Sequence, residues 1–434
     1  MLFVIESISL PSPEHSQVES PDLPTSLRVL ITNNTLAQPA GSEIFARDLA
    51  LTLLKRGHYP VLYSTVLGRV AEELRRATVP VIDDLAALQV APDVLHGQHH
   101  LEAMTAMLRF PHVPAIYFCH GWAPWQELPP VFPSIARYVA VDDLCRERLL
   151  TTAGIKAEKV SVIYNSVDLS RFKSRTLLPA KPRSALIFSN YATESNFVGA
   201  VRAACQRFGI EQIDVVGMGY ENSIEHPERV LPTYDLVFAK AKCALEAMAV
   251  GCAVIVADTS GLGGLVTSSS VKSLRNLNFG VRTMQGSPLT DETVYAELTR
   301  YDANDARQVS EWIRANADLE PAMSQVEQNY SEIVALAKAD SHEPTLAWAL
   351  AASDYLRSLA PIVKTHVQAQ PYLVQAQSDL VQAKADLVQA QSDLAKTQSD
   401  LALIHASPEW RFTAGVRRLK TWLKRHRSKL AKPV

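Results

Sequence analysis

A single glutamate in residues 243–258, CALEAMAVGCAVIVAD, is the first group in this sequence whose surroundings suggest chemistry. The stretch has the pattern of an amphipathic helix that stops at Gly251 and continues into a short apolar strand. Glu246 lies near the start of that helix among small apolar residues, where burial of an unpaired charge is costly. Either its carboxylate has a polar partner there, or it is only stabilised by the positive end of the helix dipole.

Three histidines, His96, His99 and His100, lie close enough in sequence to suggest a metal cluster. No second group of ligands accompanies them, so we expect no metal site. Two acidic pairs also occur, Asp83–Asp84 and Asp142–Asp143. Their residues are adjacent rather than spaced as in a DxD site, and both pairs lie where helices or loops begin. We therefore expect them to be helix caps and surface charges.

Short apolar strands alternate with helical patterns along most of the chain, which predicts parallel sheets covered on both faces. In the first half, strands are expected at 27–33, 60–65, 91–97, 113–121 and 135–142, and helices at 41–58 and 143–154. After a link rich in Lys, Pro and Arg, the second half repeats the alternation with strands at 184–190, 212–219, 234–240 and 252–258. The natural binding place is the cleft between the halves, at the carboxyl ends of strands.

Five leucines spaced by seven mark a heptad repeat: Leu373, Leu380, Leu387, Leu394 and Leu401. Mostly alanine follows three residues behind each, which favours a coiled coil; one long amphipathic helix packed back on the body is the alternative. Beyond it, a predicted helix in 407–434 carries an apolar stripe that includes Leu419 and Leu423, flanked by Trp410 and Trp422. Many Lys and Arg residues surround the stripe. This pattern suits an anionic membrane surface, a solvated helix end being the plain alternative and nucleic acid the competing anion.

The distribution of charge is uneven. Nine of the 43 Lys and Arg residues lie in 411–434, which contains no Asp or Glu, so the rest of the chain carries 34 of them against all 45 Asp and Glu. The five cysteines form no CxxC pair and indicate a reducing compartment. Residues 1–25 are interpreted as a flexible lead-in without signal-peptide character, and no run is long enough to span a membrane. We expect a cytoplasmic protein, held peripherally at the inner face of the membrane.

Five stretches, in order, resemble the family 4 glycosyltransferases of GT-B architecture over residues 26–345: AGSEIFARDLALTLLKRGH, PDVLHGQHH, FCHGW, AEKVSVIYNSVDLSRF and YDLVFAKAKCALEAMAVGCAVIVADTSGLGGLV. The resemblance implies two doubly wound Rossmann-like domains facing across a cleft, at 26–175 (acceptor side) and 176–345 (nucleotide-sugar side). The coiled-coil segment (346–406) and the basic tail (407–434) follow. It also implies a retaining, metal-independent hexosyltransferase that needs no cofactor beyond its nucleotide-sugar donor.

The resemblance carries over to single residues. Glu246 matches the glutamate that holds the ribose hydroxyls of the donor, which would supply the partners that burial removes. Gly41 matches the glycine loop whose backbone N–H groups face the donor diphosphate. His120, after an apolar strand, matches the histidine beside the donor sugar and is our candidate catalytic residue. Asn165 is expected to shape the turn between the domains, and Asp168 to start the next turn.

Three positions depart from the family pattern. The first glutamate of the family's pair is replaced by Phe238, and the cations of its diphosphate clamp by Asn190 and Ser195. A departing diphosphate needs cations or oriented N–H groups, and Lys240 and Lys242 are our candidates. A lysine in the first turn of a helix is unfavourable to the helix dipole. That cost favours a functional reason over a merely solvated helix start.

The sequence therefore predicts transfer of a sugar from a nucleotide sugar to an acceptor hydroxyl, on a glycan or a lipid-linked acceptor. The tail and the coiled coil add an anionic membrane surface and self-association as expected partners, which suits assembly of a cell-surface polysaccharide or glycoconjugate. Nucleic acid is not expected, because the tail contains no recognisable reading motif. The alternative is an inactive GT-B scaffold or binding subunit that acts through its coiled coil.

Overall fold

The computed structural model describes residues 26–220, 222, 224–339 and 346–430. The flexible lead-in predicted for residues 1–25 lies outside the described residues. The chain divides into two units, one that ends at Ala352 and one that begins at Ser353. The first unit contains both sheets and the cleft between them.

Seven parallel strands form the first sheet. They are β1 (Arg28–Thr32), β2 (Tyr59–Tyr63), β3 (Val81–Ile82), β4 (Val94–Gln98), β5 (Ala115–Cys119), β6 (Ile135–Ala140) and β7 (Val160–Val162), paired in the order β3-β2-β1-β4-β5-β6-β7. The accompanying helices are α1 (Gly41–Lys55), α2 (Arg69–Arg76), α3 (His100–Arg109) and α4 (Asp143–Thr151). We call this sheet with α1–α4 the N-terminal lobe.

The second sheet has five strands: β8 (Ser184–Phe188), β9 (Gln212–Val216), β10 (Leu236–Ala239), β11 (Ala253–Asp258) and β12 (Gly261–Leu265), in the order β12-β11-β10-β8-β9. Its helices are α5 (Val198–Phe208), α6 (Pro227–Val230), α7 (Ala241–Val250), α8 (Val271–Asn276), α9 (Val281–Met284), α10 (Asp291–Leu298) and α11 (Ala303–Asn316). We call this part the C-terminal lobe. The sequence analysis missed β3, β7 and the antiparallel edge strand β12.

The second sheet is buried on both faces, as the continuous apolar strands predict. In β10, Val237 and Ala239 belong to one core, whereas Leu236 and Phe238 belong to the core on the opposite face. All four side chains are fully buried. The side chains of this central strand are thus all apolar, and the first polar side chain after it, that of Lys240, follows its carboxyl end.

A further helix, α12 (Leu319–Ala339), follows the C-terminal lobe in sequence but packs on β5 and β6 of the N-terminal lobe. Its Tyr330 hydroxyl lies 2.7 Å from Nδ1 of His96, and its Glu327 forms an ion pair with Arg56. The return of α12 thus connects the C-terminal lobe back to the N-terminal lobe.

The second unit is helical. Its elements are the long helix α13 (Leu346–Ala406), which starts within the first unit, then α14 (Pro408–Phe412) and α15 (Ala414–Leu430). All five heptad leucines are exposed on α13, so the helix predicted for 346–406 is present, whereas its pairing in a coiled coil stays a prediction. Within the described residues, no helix combines the length and the apolar character needed to cross a membrane.

Candidate functional site

A cleft with a cavity volume of about 120 Å³ lies between the two lobes. Loops after β8 and β9 line it through Asn190 and Gly217, and the first turns of α1 and α7 face it from either side. The charged residues among its lining are four cations and three carboxylates: Arg47, Arg69, Arg171, Lys242, Glu73, Glu225 and Glu246. Two helix N-termini thus face the cleft, and its lining has more cations than carboxylates. Both features suit an anionic ligand.

Gly41 begins α1 and lines the cleft. The preceding residue, Ala40, caps the helix without a side-chain hydrogen bond. A Cβ atom added at Gly41 would meet nothing within 4 Å. The glycine is therefore not required by packing in this structure, and its backbone is open to approach from the cleft.

The helix that carries Glu246 follows its strand with almost no loop. β10 ends at Ala239, Lys240 is the N-cap of α7, and Ala241 begins the helix with a left-handed φ of 49°. This conformation costs about 1 kcal/mol in a residue with a side chain. The short link brings the first turns of α7 directly to the carboxyl edge of the sheet.

Glu246 lies on the side of α7 that faces the cleft and is 7% exposed. Burial raises the pKa of its carboxyl from 4.5 to about 7, although Lys242 opposes the shift. Within the described residues, no hydrogen bond or ion pair reaches this carboxyl. A buried acid without a partner is a candidate ligand-binding group, because a bound ligand would satisfy its oxygens.

The two candidate lysines have different surroundings. Lys242 lines the cleft, and its Nζ lies 2.7 Å from Oδ2 of Asp48 on α1 of the opposite lobe. Lys240 does not belong to the cleft lining; it forms an ion pair with the fully buried Asp258. The Nζ of Lys240 also lies 4.6 Å from the centre of the Tyr191 ring. The structure thus brings Lys242, Gly41 and Glu246 together at the cleft and holds Lys240 beside it.

His120 follows β5 and is positioned by a buried hydrogen-bond network. The Asn34 backbone N–H donates to Nδ1 of His99 at 2.9 Å, so the Nε2–H of that ring points at Oε1 of Glu127, 3.3 Å away. The other oxygen of Glu127 accepts the backbone N–H of His120 at 3.0 Å. Burial alone would raise the pKa of Glu127, but the hydrogen bond from His99 holds it below its ordinary value. Glu127 therefore stays ionised and fixes the loop that carries His120.

The His120 ring packs against Phe45, with 4.7 Å between ring centres. Burial lowers the pKa of its imidazole to about 4, and the positive charge of Lys242 contributes in the same direction. The imidazole is therefore neutral at pH 7. Its Nε2 is buried with no hydrogen-bond partner in the described part of the chain, and His120 does not belong to the cleft lining.

The three departures from the family pattern occupy different places. Asn190 lines the cleft, and its side-chain oxygen accepts the Met218 backbone N–H at 3.3 Å. Ser195 lies outside the cleft lining and contacts the hydroxyl of Thr193 at 3.0 Å. Phe238 is fully buried in the core of the C-terminal lobe.

Across the described residues, no group of three or more His, Cys, Asp or Glu side chains is arranged to hold a metal ion. The pair of acids at the start of α4 acts as predicted: Asp142 caps the helix by accepting the Cys145 N–H at 2.7 Å. Asp84 caps the short turn after β3 in the same way. Asp168 accepts backbone N–H groups of the turn that it begins, also as predicted.

Sequence reasoning missed several residues of the site. Arg47 and Arg69 line the cleft from α1 and α2, and Arg171 lines it from the link between the lobes. Arg47 lies on the same helix as Gly41, and this shared helix was the available signal, because a spacing of six residues does not by itself place two side chains on one face. Glu127 had no such signal, because its contacts to His99 and His120 depend on the packing of a loop.

Residues 39–171 match the model of the family described as Glycosyltransferase Family 4. No curated protein matches the chain in sequence. Among solved structures, a glycosyltransferase from Rickettsia africae is similar with a TM-score of 0.52 and 13% identity, covering 71% of this chain and 99% of that one. The Anabaena protein HepE, solved in complex with UDP-glucose, has a TM-score of 0.51 and 14% identity, covering 70% of this chain and 100% of that one.

A sucrose-phosphate synthase from Thermosynechococcus elongatus has a TM-score of 0.50 and 13% identity, covering 71% of this chain and 99% of that one. At such identities the likeness shows a shared fold. The GT-B fold and the resemblance to family 4 that the sequence motifs predicted are therefore confirmed.

Proposed function

We propose that this chain is a glycosyltransferase that moves a sugar from a nucleotide-sugar donor to an acceptor hydroxyl. The observation that carries the proposal is the buried Glu246 carboxyl, which faces the inter-lobe cleft and has no partner among the described residues. Two ribose hydroxyls can donate to such a carboxylate and satisfy it. The match to the family 4 model and the UDP-glucose bound to the structurally similar HepE support the same reading.

The remaining groups have distinct roles in this proposal. The diphosphate lies against the backbone at Gly41 and near Lys242, which offset the negative charge that develops as the bond to the sugar breaks. Neutral His120 accepts or donates a hydrogen bond at the sugar. Catalysis rests mainly on positioning donor and acceptor in the closed cleft. We propose retention of the anomeric configuration, without a metal ion or other cofactor, from the resemblance to family 4.

A non-catalytic scaffold is the second candidate function. It is favoured by Phe238, which stands in the core where the family has a carboxylate, and by the ion pair that already engages Lys242. In that case the long helix α13 would be the working part of the molecule. Nucleotide binding and turnover separate the two candidates.

The test is calorimetric titration with uridine, guanosine, adenosine and cytidine diphosphates and their sugars, followed by assays of sugar transfer. One diphosphate should bind, and Glu246→Ala should weaken it at least about tenfold, since a charge-assisted hydrogen bond is lost. Glu158→Ala, at an exposed position, is the matched control and should bind like the wild type. If none of the four diphosphates or their sugars binds or is turned over, the enzyme hypothesis is wrong and the scaffold hypothesis remains.

Gly41 provides a second arm of the test. Because a Cβ atom there meets nothing within 4 Å, Gly41→Val should leave the melting temperature nearly unchanged. It should nevertheless weaken diphosphate binding, because its side chain would project where the phosphates approach. Binding equal to that of the wild type would remove Gly41 from the proposed site.

We also propose that the tail holds the enzyme at an anionic membrane surface, next to a lipid-linked or glycan acceptor. Helix α15 exposes Leu419, Trp422 and Leu423, and its basic residues supply the charge that attracts anionic headgroups. The exposed heptad leucines of α13 would be buried by self-association as a coiled coil. These partners suit the assembly of a surface polysaccharide or glycoconjugate. Sedimentation velocity of the intact chain would test the self-association.

A further inference from the structure

Six charged residues form a continuous chain of ion pairs across the cleft. We call them the inter-lobe ion-pair chain: Lys242 contacts Asp48 (2.7 Å), Asp48 contacts Arg47 (2.9 Å), Arg47 contacts Glu73 (3.4 Å), Glu73 contacts Arg69 (3.3 Å) and Arg69 contacts Glu225 (3.0 Å). Both ends, Lys242 and Glu225, belong to the C-terminal lobe. The four residues between them belong to α1 and α2 of the N-terminal lobe.

The central members of this chain are shielded from water. The side chains of Arg47, Asp48 and Lys242 are only 12%, 16% and 20% exposed. Pairs in such positions are screened less than surface pairs, and removing one partner leaves the other uncompensated. Lys242 and Arg47 outweigh the effect of burial and hold the pKa of Asp48 below its ordinary value. Asp48 is thus ionised at neutral pH.

The three cations of the chain all line the cleft, whereas Asp48 does not belong to the lining. Asp48 lines a neighbouring groove together with Arg47 and Glu73, and a ligand in the cleft would compete with it for Lys242 and Arg47. The two cations of the family's diphosphate clamp are absent here, with Asn190 and Ser195 in their places. Lys242 and Arg47 are the cleft-lining cations on α7 and α1, and in this structure the Asp48 carboxylate already pairs with both.

We propose that Asp48 is a resident counter-ion that the diphosphate of the donor must displace from Lys242 and Arg47, and that it thereby sets the charge that a ligand needs in order to bind. This inference rests on the proposed function. A diphosphate offers several charged oxygens to both cations and can replace the single carboxylate. A monophosphate competes less well, and an uncharged nucleoside not at all. Asp48 is a specificity-determining residue in this account and does not touch the reacting atoms.

Asp48→Asn keeps the shape of the side chain and removes its charge, which makes it the variant to test. The matched control is Asp93→Asn, because Asp93 pairs with Arg28 at 2.8 Å in the same lobe and lies outside the cleft lining. Titration calorimetry would compare wild type and both variants with uridine diphosphate, uridine monophosphate and uridine. The guanosine, adenosine and cytidine series would follow the same scheme.

Asp48→Asn should bind the nucleoside diphosphate about tenfold more tightly than the wild type, because no charged competitor remains. The gain should be smaller for the monophosphate and absent for the nucleoside, and Asp93→Asn should match the wild type throughout. Equal or weaker diphosphate binding by a folded Asp48→Asn overturns the inference and leaves the proposed function intact. If no nucleoside diphosphate binds the wild type or either variant, the proposed function fails and the inference with it.

A second variant keeps the inference testable if Asp48→Asn does not fold. Lys242→Gln breaks the same ion pair from the other lobe, yet it removes a phosphate-binding cation. It should therefore weaken diphosphate binding about tenfold and leave binding of the nucleoside unchanged. Unchanged diphosphate affinity in Lys242→Gln would contradict the assignment of this lysine and overturn the inference.

Discussion

The carboxylate of Glu127 accepts the backbone N–H of His120 at 3.0 Å, and its second oxygen faces the His99 ring at 3.3 Å. One buried side chain thus fixes both the loop that carries the candidate catalytic histidine and the ring beside it. Glu127 acts through these neighbours and is a positioning residue.

We expect Glu127→Gln to lower the rate of sugar transfer about ten- to a hundredfold. The amide has one acceptor oxygen where the carboxylate has two, and its NH₂ group would face one of the two N–H donors, so one buried donor loses its partner at a cost of about 1–3 kcal/mol. The affinity for the nucleoside diphosphate should change little, because Glu127 does not line the cleft. The measurement is kcat and KM for transfer beside calorimetric Kd values, with the exposed Glu158→Gln as control. A variant that loses diphosphate affinity but keeps kcat would contradict the positioning role.

The buried Glu246 carboxyl predicts a stability that falls with pH. Its pKa is 4.5 in the unfolded chain and about 7 in the folded protein, so between these values the folded state retains a proton that the unfolded state releases. The free energy of unfolding should therefore decrease from about pH 4.5 to about pH 7 and then level off. The full loss from this one group is about 3 kcal/mol.

Urea unfolding of wild type and Glu246→Gln across pH 4 to 8 measures this contribution. Because the glutamine cannot ionise, the stability of Glu246→Gln relative to the wild type should rise between about pH 4.5 and about pH 7 and stay constant above pH 7. Other acids titrate equally in both proteins and cancel in the difference. Parallel stability profiles would show that Glu246 has an ordinary pKa and is not buried as described.

We expect that Phe238 cannot be replaced by the glutamate that the family 4 motif has at this position. The side chain is fully buried in the core of the C-terminal lobe, so Phe238→Glu should lower the free energy of unfolding by about 4 kcal/mol or more. Phe238→Leu, the apolar control, should cost about 1 to 2 kcal/mol. Thermal melts followed by circular dichroism compare the two. A stable Phe238→Glu that binds a nucleotide sugar more tightly would show that this position reaches the ligand.

The apolar stripe of α15 is expected to be necessary for membrane binding. Leu419→Asp replaces an exposed apolar side chain by a charge that anionic headgroups repel, and should weaken binding about tenfold or more. Co-sedimentation with phosphatidylglycerol vesicles measures the effect, and phosphatidylcholine vesicles show the part that depends on charge. Leu356→Asp, at an exposed position on α13, is the control. If wild type and Leu419→Asp sediment equally, the tail does not bind the membrane through this face.

Much of the fold could be predicted because its signals are local. The apolar runs that end at Thr32, Cys119 and Asp258 stand out in the sequence, and each is a buried strand in the structure. Three strands were missed, each for its own reason. β7 comprises only three residues. β3 comprises only two residues, and β12 is the glycine-rich GLGGL, whose composition favours a turn.

The candidate site was only partly predictable. Glu246, Gly41 and Lys242 were identified from motifs and lie together at the cleft. Lys240 was given the same role, yet its partner is Asp258 on the neighbouring strand β11. The position of this lysine depends on a link of one residue between β10 and α7, and sequence periodicity locates such a boundary only within a few residues.

The sequence by itself determined the alternation of strands and helices, the two cores of the C-terminal lobe and the position of Glu246 on the first turns of a helix. Each of these follows from hydrophobic periodicity over ten or fewer residues. Only the tertiary structure decided that Lys242 meets Asp48, 194 residues away in the chain, and that Glu127 holds His120. Such pairs depend on how two lobes and a loop pack together, and no local pattern encodes which of many similar charges will be neighbours.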